Sequence, residues 1–264
     1  MINEHHIAKD WEKYEEFRVK KKVGLTTGFK EIDGKIWSLP GITTLVGDTK
    51  LGKSYFTMNI YLHLAKQGIP VILVDKEVGF VNVRSRLLCY LSKLTEMTIT
   101  SGKFIKDEEA RYNHAVDILH ALPIYYFSDI KQEEIEPVIC EAGKLHGRRV
   151  FVVIDSINRL IQNFTDRRSD VDTWGTLFNN LKLKYDNFVN FWIICEENKE
   201  EGIKESGTLK HLTELWLRMY KAQDKRDVIL ECRAQRFGPS GVVTTLTNRL
   251  PFCYEFETVE YLPE

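Results

Sequence analysis

Eight consecutive residues, Gly47, Asp48, Thr49, Lys50, Leu51, Gly52, Lys53 and Ser54, spell the pattern G-x-x-x-x-G-K-[ST]. Two glycines, a lysine and a hydroxyl at this spacing suit one ligand chemistry, a nucleoside triphosphate such as ATP with its Mg2+. Gly47 and Gly52 let the backbone turn sharply and approach an anion closely. Successive backbone N–H groups and the helix start that follows would face the phosphates. Lys53 would reach the β and γ oxygens, and the Ser54 hydroxyl would hold the metal. The flanking sequence fits: Ile42 to Val46 is short, apolar and rich in β-branched residues, which predicts a strand. Phe56, Ile60, Leu64 and Ala65 recur at helical spacing over Ser54 to Gln67.

Hydrolysis of a triphosphate also needs carboxylates close by. Asp155 follows the apolar run Val150 to Ile154. An acid at such a strand end would hold Mg2+ directly or through water, although Asp there also commonly caps a helix. Glu77 lies in Asp75-Lys76-Glu77, just past the run 71–74. It would polarise the attacking water, or it is an ordinary solvated acid in a loop.

The elements that must position these groups alternate along the chain. Strands are predicted at 42–46, 71–75, 150–154, 191–195 and 228–232, all of them largely apolar, as strands covered on both faces are. Helical stretches at 83–94, 107–121, 132–146 and 173–187 separate them. This alternation predicts an α/β architecture with a mainly parallel sheet. The tail, 241–261, alternates as a closing hairpin or edge strands would. Residues 1–22 carry Ile7, Trp11 and Tyr14 at helical spacing, an amphipathic arm with a thin apolar stripe. The expected division is therefore an arm at 1–22 and one domain over 23–264. A net charge of −1 confines any nucleic-acid contact to a local patch. Five scattered cysteines with no C-x-x-C pair point to reduced thiols and a cytoplasmic location, and His5-His6 lacks metal-ligand partners. No apolar run approaches the ~18 residues of a membrane span, and the polar N-terminus is unlike a signal peptide.

Several motifs occur in an order that resembles the RecA-like motor domain of the replicative DnaB-family helicases, with features similar to the RadA/Sms branch. Thr27-Gly28-Phe29-Lys30-Glu31-Ile32-Asp33 looks like the family's T-G-F-x-x-[LI]-D opening. Glu77 is followed by Arg86-Leu87-Leu88, similar to its acid and R-L-L run. Ser101-Gly102-Lys103-Phe104 through Leu122-Pro123-Ile124 looks like its G-x-[LF] … L-P-[LI] segment. Lys204-Glu205-Ser206-Gly207 resembles its R-E-S-G loop, and Gln235-Arg236-Phe237-Gly238-Pro239-Ser240-Gly241 resembles both Q-R-N-G-P-T-G and N-R-F-G-P. The resemblance implies a RecA-like P-loop NTPase fold, with a mainly parallel twisted sheet and helices on both faces, preceded by a short N-terminal amphipathic helix. It implies ATP and Mg2+ as ligands, Glu77 as the catalytic carboxylate, and Arg236 as an arginine finger inserted into the site of the next subunit. It further implies a homo-oligomer, a ring of six subunits around single-stranded DNA, with 5'-3' polarity and replication or recombination proteins as partners. DNA would meet two loops, one near Asn163 to Asp172 with Arg167 and Arg168, the other Asn198 to Gly207 with Lys199, Lys204, Glu205 and Gly207. Both loops also carry acids, so a solvated mixed-charge surface reads the same way.

The chain departs from that pattern at Glu196, where the family has a polar Gln that senses the γ-phosphate. A carboxylate ~4 Å from a phosphate charge would be repelled by about 4 kcal/mol at an effective dielectric of 20. Glu196 therefore points away, binds metal or water, or marks a weakened ATPase. Ala234 stands where relatives carry a second basic residue. The expected activity is an ATP-dependent DNA translocase or helicase. The alternatives are a RadA/Sms-like recombination ATPase and a weakly hydrolysing, nucleotide-dependent DNA-binding or assembly protein.

Overall fold

The computed structural model describes residues 24–36, 38–160, 167–185, 188–196, 207–222, 227–236, 240–250 and 253–259. Among them runs one nine-stranded sheet in the order β3-β2-β4-β5-β1-β6-β7-β8-β9. β1 (Ile42–Gly47), β2 (Val71–Asp75), β3 (Ile124–Phe127), β4 (Val150–Asp155), β5 (Val189–Glu196) and β6 (Leu215–Lys221) pair in parallel. β7 (Val228–Gln235), β8 (Gly241–Leu250) and β9 (Glu255–Val259) extend the sheet antiparallel. The first four predicted strands lie in the parallel block. The run 228–232 is a strand too and runs against its neighbours, in a sheet that is mainly parallel as expected.

Each central strand feeds two cores because successive side chains point to opposite faces. After the short helix α1 (Lys30–Ile36) comes helix α2 (Lys53–Lys66), whose Phe56, Ile60 and Leu64 pack with Phe151, Val153, Trp192 and Ile194. Their neighbours Val152, Ile154, Phe191 and Ile193 pack on the other side. There they meet Ile135 and Ile139 of one helix (Gln132–His146) and Trp174 and Phe178 of another (Arg167–Lys184). Helices thus cover both faces, as the apolar runs require. Trp192 is fully buried and donates its indole N–H to Thr57 Oγ1 at 2.9 Å, which fixes α2 against the sheet. The expected arm at 1–22 and the His5-His6 pair lie outside the described residues. Cys89, Cys195, Cys232 and Cys253 are buried and Cys140 half-buried, all as free thiols. No described helix is long and apolar enough to cross a membrane.

Candidate nucleotide site

The phosphate loop leaves β1 at the C-terminal edge of the parallel block. Gly47 is level with Glu196 on β5, and Asp155 at the end of β4 is level with Asp75 on β2. Four strand ends thereby meet at one edge, where open α/β sheets bind ligands. A Cβ on Gly47 would stand 2.4 Å from the Met219 carbonyl oxygen, so only glycine passes between β1 and β6 there. Gly52 takes the left-handed φ of 86° and opens α2. Asp48, Thr49 and Lys50 hold exposed side chains over the loop backbone, while Leu51 is buried in the core beneath it. Lys53 is 7% exposed, and its Nζ donates to the carbonyls of Gly47 at 2.7 Å and Asp48 at 2.8 Å. An ammonium has three donors, so these bonds brace the loop and leave one for a phosphate oxygen. Burial pushes the lysine's pKa down, and Glu196, then Asp155, oppose that shift.

Asp155, half-buried at the end of β4, is the carboxylate nearest the hydroxyl of Ser54. Burial raises its pKa to about 6, with Asp75 and Glu77 adding repulsion, while the Ser54 hydroxyl and Lys53 favour its ionised form. A hydroxyl bonded to a carboxylate that is short of positive charge is a donor set that fits Mg2+. That ion typically uses one or two protein ligands and fills its octahedron with water and phosphate. No cluster of three His, Cys, Asp or Glu among the described residues forms a closed protein cage. Ser54 and Asp155 would therefore hold the ion together with the nucleotide.

The second acid, Glu77, is presented by a turn that Asp75 builds. Asp75 is 1% exposed. Its carboxylate accepts the N–H groups of Glu77, Val78 and Gly79 at 2.9, 3.0 and 3.0 Å, and the Tyr126 hydroxyl at 3.2 Å. Glu77 itself is exposed and pairs with Arg159 Nε at 3.7 Å. Asp75 fixes the loop; Glu77 is the acid exposed to a ligand. Glu196 receives its place from Asn158, whose Oδ1 accepts the Glu196 N–H at 3.2 Å. It is the strongest charge acting on Lys53, which sets it within electrostatic reach of the phosphate loop.

Arg236 lies elsewhere. It follows β7, and its backbone N–H donates to the Glu214 carbonyl at 2.9 Å, whose own N–H donates to Ile42 at the start of β1. Arg236 thus sits at the opposite edge of the sheet from its own phosphate loop, roughly 16 Å away along a six-residue strand. Arg167 and Arg168 open helix Arg167–Lys184 instead of lying in a loop, a correction of the sequence reading. Ser169 and Asp170 in that first turn suit a helix N-terminus. Gly207 opens the short helix Gly207–Leu212. Lys199, Lys204 and Glu205 lie outside the described residues. The Thr27 to Asp33 motif is a brace: Asp33 accepts the Thr27 N–H and hydroxyl at 2.7 and 2.8 Å and the Gly28 N–H at 3.2 Å. Sequence reasoning missed Asp75 as the builder of the Glu77 turn, Arg159 and Asn158 as partners of the two acids, and Glu214 beneath Arg236. Only Asp75 carried a signal, as an acid ending an apolar strand.

A family profile described as the DnaB-like helicase C terminal domain matches residues 24–183. A solved structure described as "ATPase Domain of G40P" is 17% identical, with a TM-score of 0.84 over 98% of this chain and 99% of that one. Another, "The Structure Of A DnaB-Like Replicative Helicase And Its Interactions With Primase", is 16% identical, with a TM-score of 0.78 over 97% of this chain and 67% of that one. At these identities the two structures establish the shared fold. No curated protein sequence matches the chain. The profile covers more than half of the 264 residues and includes the phosphate loop, Glu77 and Asp155, so this chain belongs to the family of DnaB-like helicase C-terminal domains.

Proposed function

We propose that the chain is an ATP-driven motor that assembles as a six-membered ring on single-stranded DNA, translocates and unwinds duplex. ATP would be hydrolysed between subunits, in the cytoplasm, alongside other replication or recombination proteins. One observation carries this reading: the phosphate loop and its acids occupy one sheet edge while Arg236 occupies the other. A cation needed at the γ-phosphate would then come from a second copy. Lys53 and the loop N–H groups grip the phosphates. Glu77, held by its Asp75-built turn, orients water and takes its proton. Arg236 of a neighbour stabilises charge as the bond to the leaving group breaks. Bound Mg2+ would supply charge neutralisation on the phosphate oxygens, held by Ser54 and Asp155. The segments after β4 and β5, with Arg167, Arg168, Lys199 and Lys204, contact DNA phosphates without reading sequence. A 5'-3' polarity rests on family resemblance alone.

The test is ATP turnover with and without single-stranded DNA, run beside particle mass and strand unwinding. Turnover stimulated by DNA, abolished in Lys53→Ala and Glu77→Gln, accompanied by ring-sized particles, is the expected result. Turnover without unwinding under any loading condition would favour the recombination-type reading. Glu196 beside Lys53 favours a second reading, a slow ATPase that assembles on DNA in response to nucleotide. DNA binding gated by ATP with negligible turnover would select it.

A further inference from the structure

We propose that Glu214 is the positioning residue for Arg236, the seat from which that arginine reaches a neighbouring nucleotide site. Glu214 lies just before β6 with its side chain 11% exposed. Its Oε1 accepts from Lys182 Nζ at 3.1 Å and from Arg236 Nη1 at 3.2 Å, and its Oε2 accepts the Ile42 N–H at 3.3 Å. Room for it comes from Gly41, where a Cβ would lie 2.9 Å from Oε2 and 2.3 Å from Lys182 Cδ. Three parts of the proposed motor meet on this carboxylate. Ile42 begins the strand that ends in the phosphate loop. Lys182 lies in the last turn of the helix that Arg167 and Arg168 open, and Arg236 follows β7.

The arrangement suits a finger that leaves and returns. Arg236 is 58% exposed, so its guanidinium is partly outside the seat already. When it moves to a phosphate, Glu214 keeps Lys182 and the Ile42 N–H and is not stranded as an unpaired buried charge. When it returns, the carboxylate separates the like charges of Lys182 and Arg236. The inference rests on Arg236 acting in a neighbour's site. Its test is a double-mutant cycle on DNA-stimulated turnover, with kcat and KM measured for wild type, Glu214→Gln, Glu214→Asp, Arg236→Ala and Glu214→Gln/Arg236→Ala. Particle mass and affinity for a fluorescent ADP are measured on each. Glu214→Gln should lower kcat about tenfold, the scale of a small misplacement, with KM, ADP affinity and mass unchanged. Glu214→Asp should recover part of that loss, and Glu214→Gln should cost nothing further once Arg236 is alanine. Equal losses in both backgrounds, an unchanged kcat, or loss of mass or ADP affinity in both Glu214 variants would overturn the inference while leaving the finger intact. Full turnover in Arg236→Ala would instead remove the finger, and the seat with it.

Discussion

Removing the negative charge of Asp155 should make the metal-free protein more stable while destroying its activity. The carboxyl has an ordinary value of 3.8 and is raised to about 6, chiefly by burial. Below about pH 4 the group is protonated in folded and unfolded chains alike. Between the two values the folded chain holds a proton that the unfolded chain has lost, and above about pH 6 the folded site must carry an unwelcome charge. Stability from this group is thus fully present below the unfolded value and is lost as pH rises through the folded one. The full shift corresponds to about 3 kcal/mol, an upper figure for a site that solvent can partly relax. Asp155→Asn removes that burden. Urea unfolding in EDTA should show the variant up to about 3 kcal/mol more stable than wild type at pH 7.5, with the gap closing between pH 6 and 4. Turnover with Mg2+ and ATP should be lost in the same variant. A variant no more stable at pH 7.5, or a gap that does not change with pH, would show that Asp155 is not the strained carboxylate described here.

Gly47→Ala puts a methyl 2.4 Å from the Met219 carbonyl, so the loop must leave its seat; nucleotide binding should fall by at least about tenfold in calorimetry, and wild-type affinity would contradict the packing. Glu196→Gln should raise turnover by weakening repulsion toward the γ-phosphate, and unchanged or slower turnover would absolve the acid. Asn59→Ala should cost about 2–3 kcal/mol in urea unfolding, because Asn59 bonds both Tyr254 carbonyl (2.9 Å) and Phe256 N–H (3.2 Å). A loss within error of zero would mean that the C-terminal strand holds without that clamp.

The legible parts of this chain were those where one local pattern has one physical cause. The runs at 42–46, 71–75, 150–154 and 191–195, apolar apart from Thr43, Thr44 and Asp75, are strands because both faces are covered. The loop 47–54 is readable because only glycine tolerates the Met219 carbonyl and the left-handed turn at 52. β3 and β6 were not read. Ile124–Phe127 is four residues and only half-buried, and Leu215–Lys221 interleaves Trp216, Arg218 and Tyr220 with buried Leu215, Leu217 and Met219. The acids show the limit most clearly. Asp75 and Glu77 are two residues apart and chemically alike, yet three backbone N–H groups converge on the first and leave the second exposed. Spacing cannot rank them; the turn does. Glu214 had no signal at all, since its partners at Ile42, Lys182 and Arg236 are remote in sequence.

Strand direction is what separates Arg236 from the phosphates of its own chain. Every parallel strand in the block ends at the edge of the phosphate loop, so an arginine following a seventh parallel strand would have stood at the same edge as Lys53. β7 instead pairs antiparallel with β6, Leu215 opposite Gln235, and its end falls where β1 and β6 begin. The same reversal brings β9 back along the flank of α2. There Tyr254 stacks on Tyr55 at 4.2 Å, Asn59 clamps the backbone, and Phe256 stands 3.0 Å from where a Gly52 side chain would begin. A sheet that stayed parallel would have put the arginine at the edge of its own phosphate loop. By turning around after β6, this one reinforces its phosphate helix and carries Arg236 to the far edge, as the proposed use of that arginine at another copy's nucleotide requires.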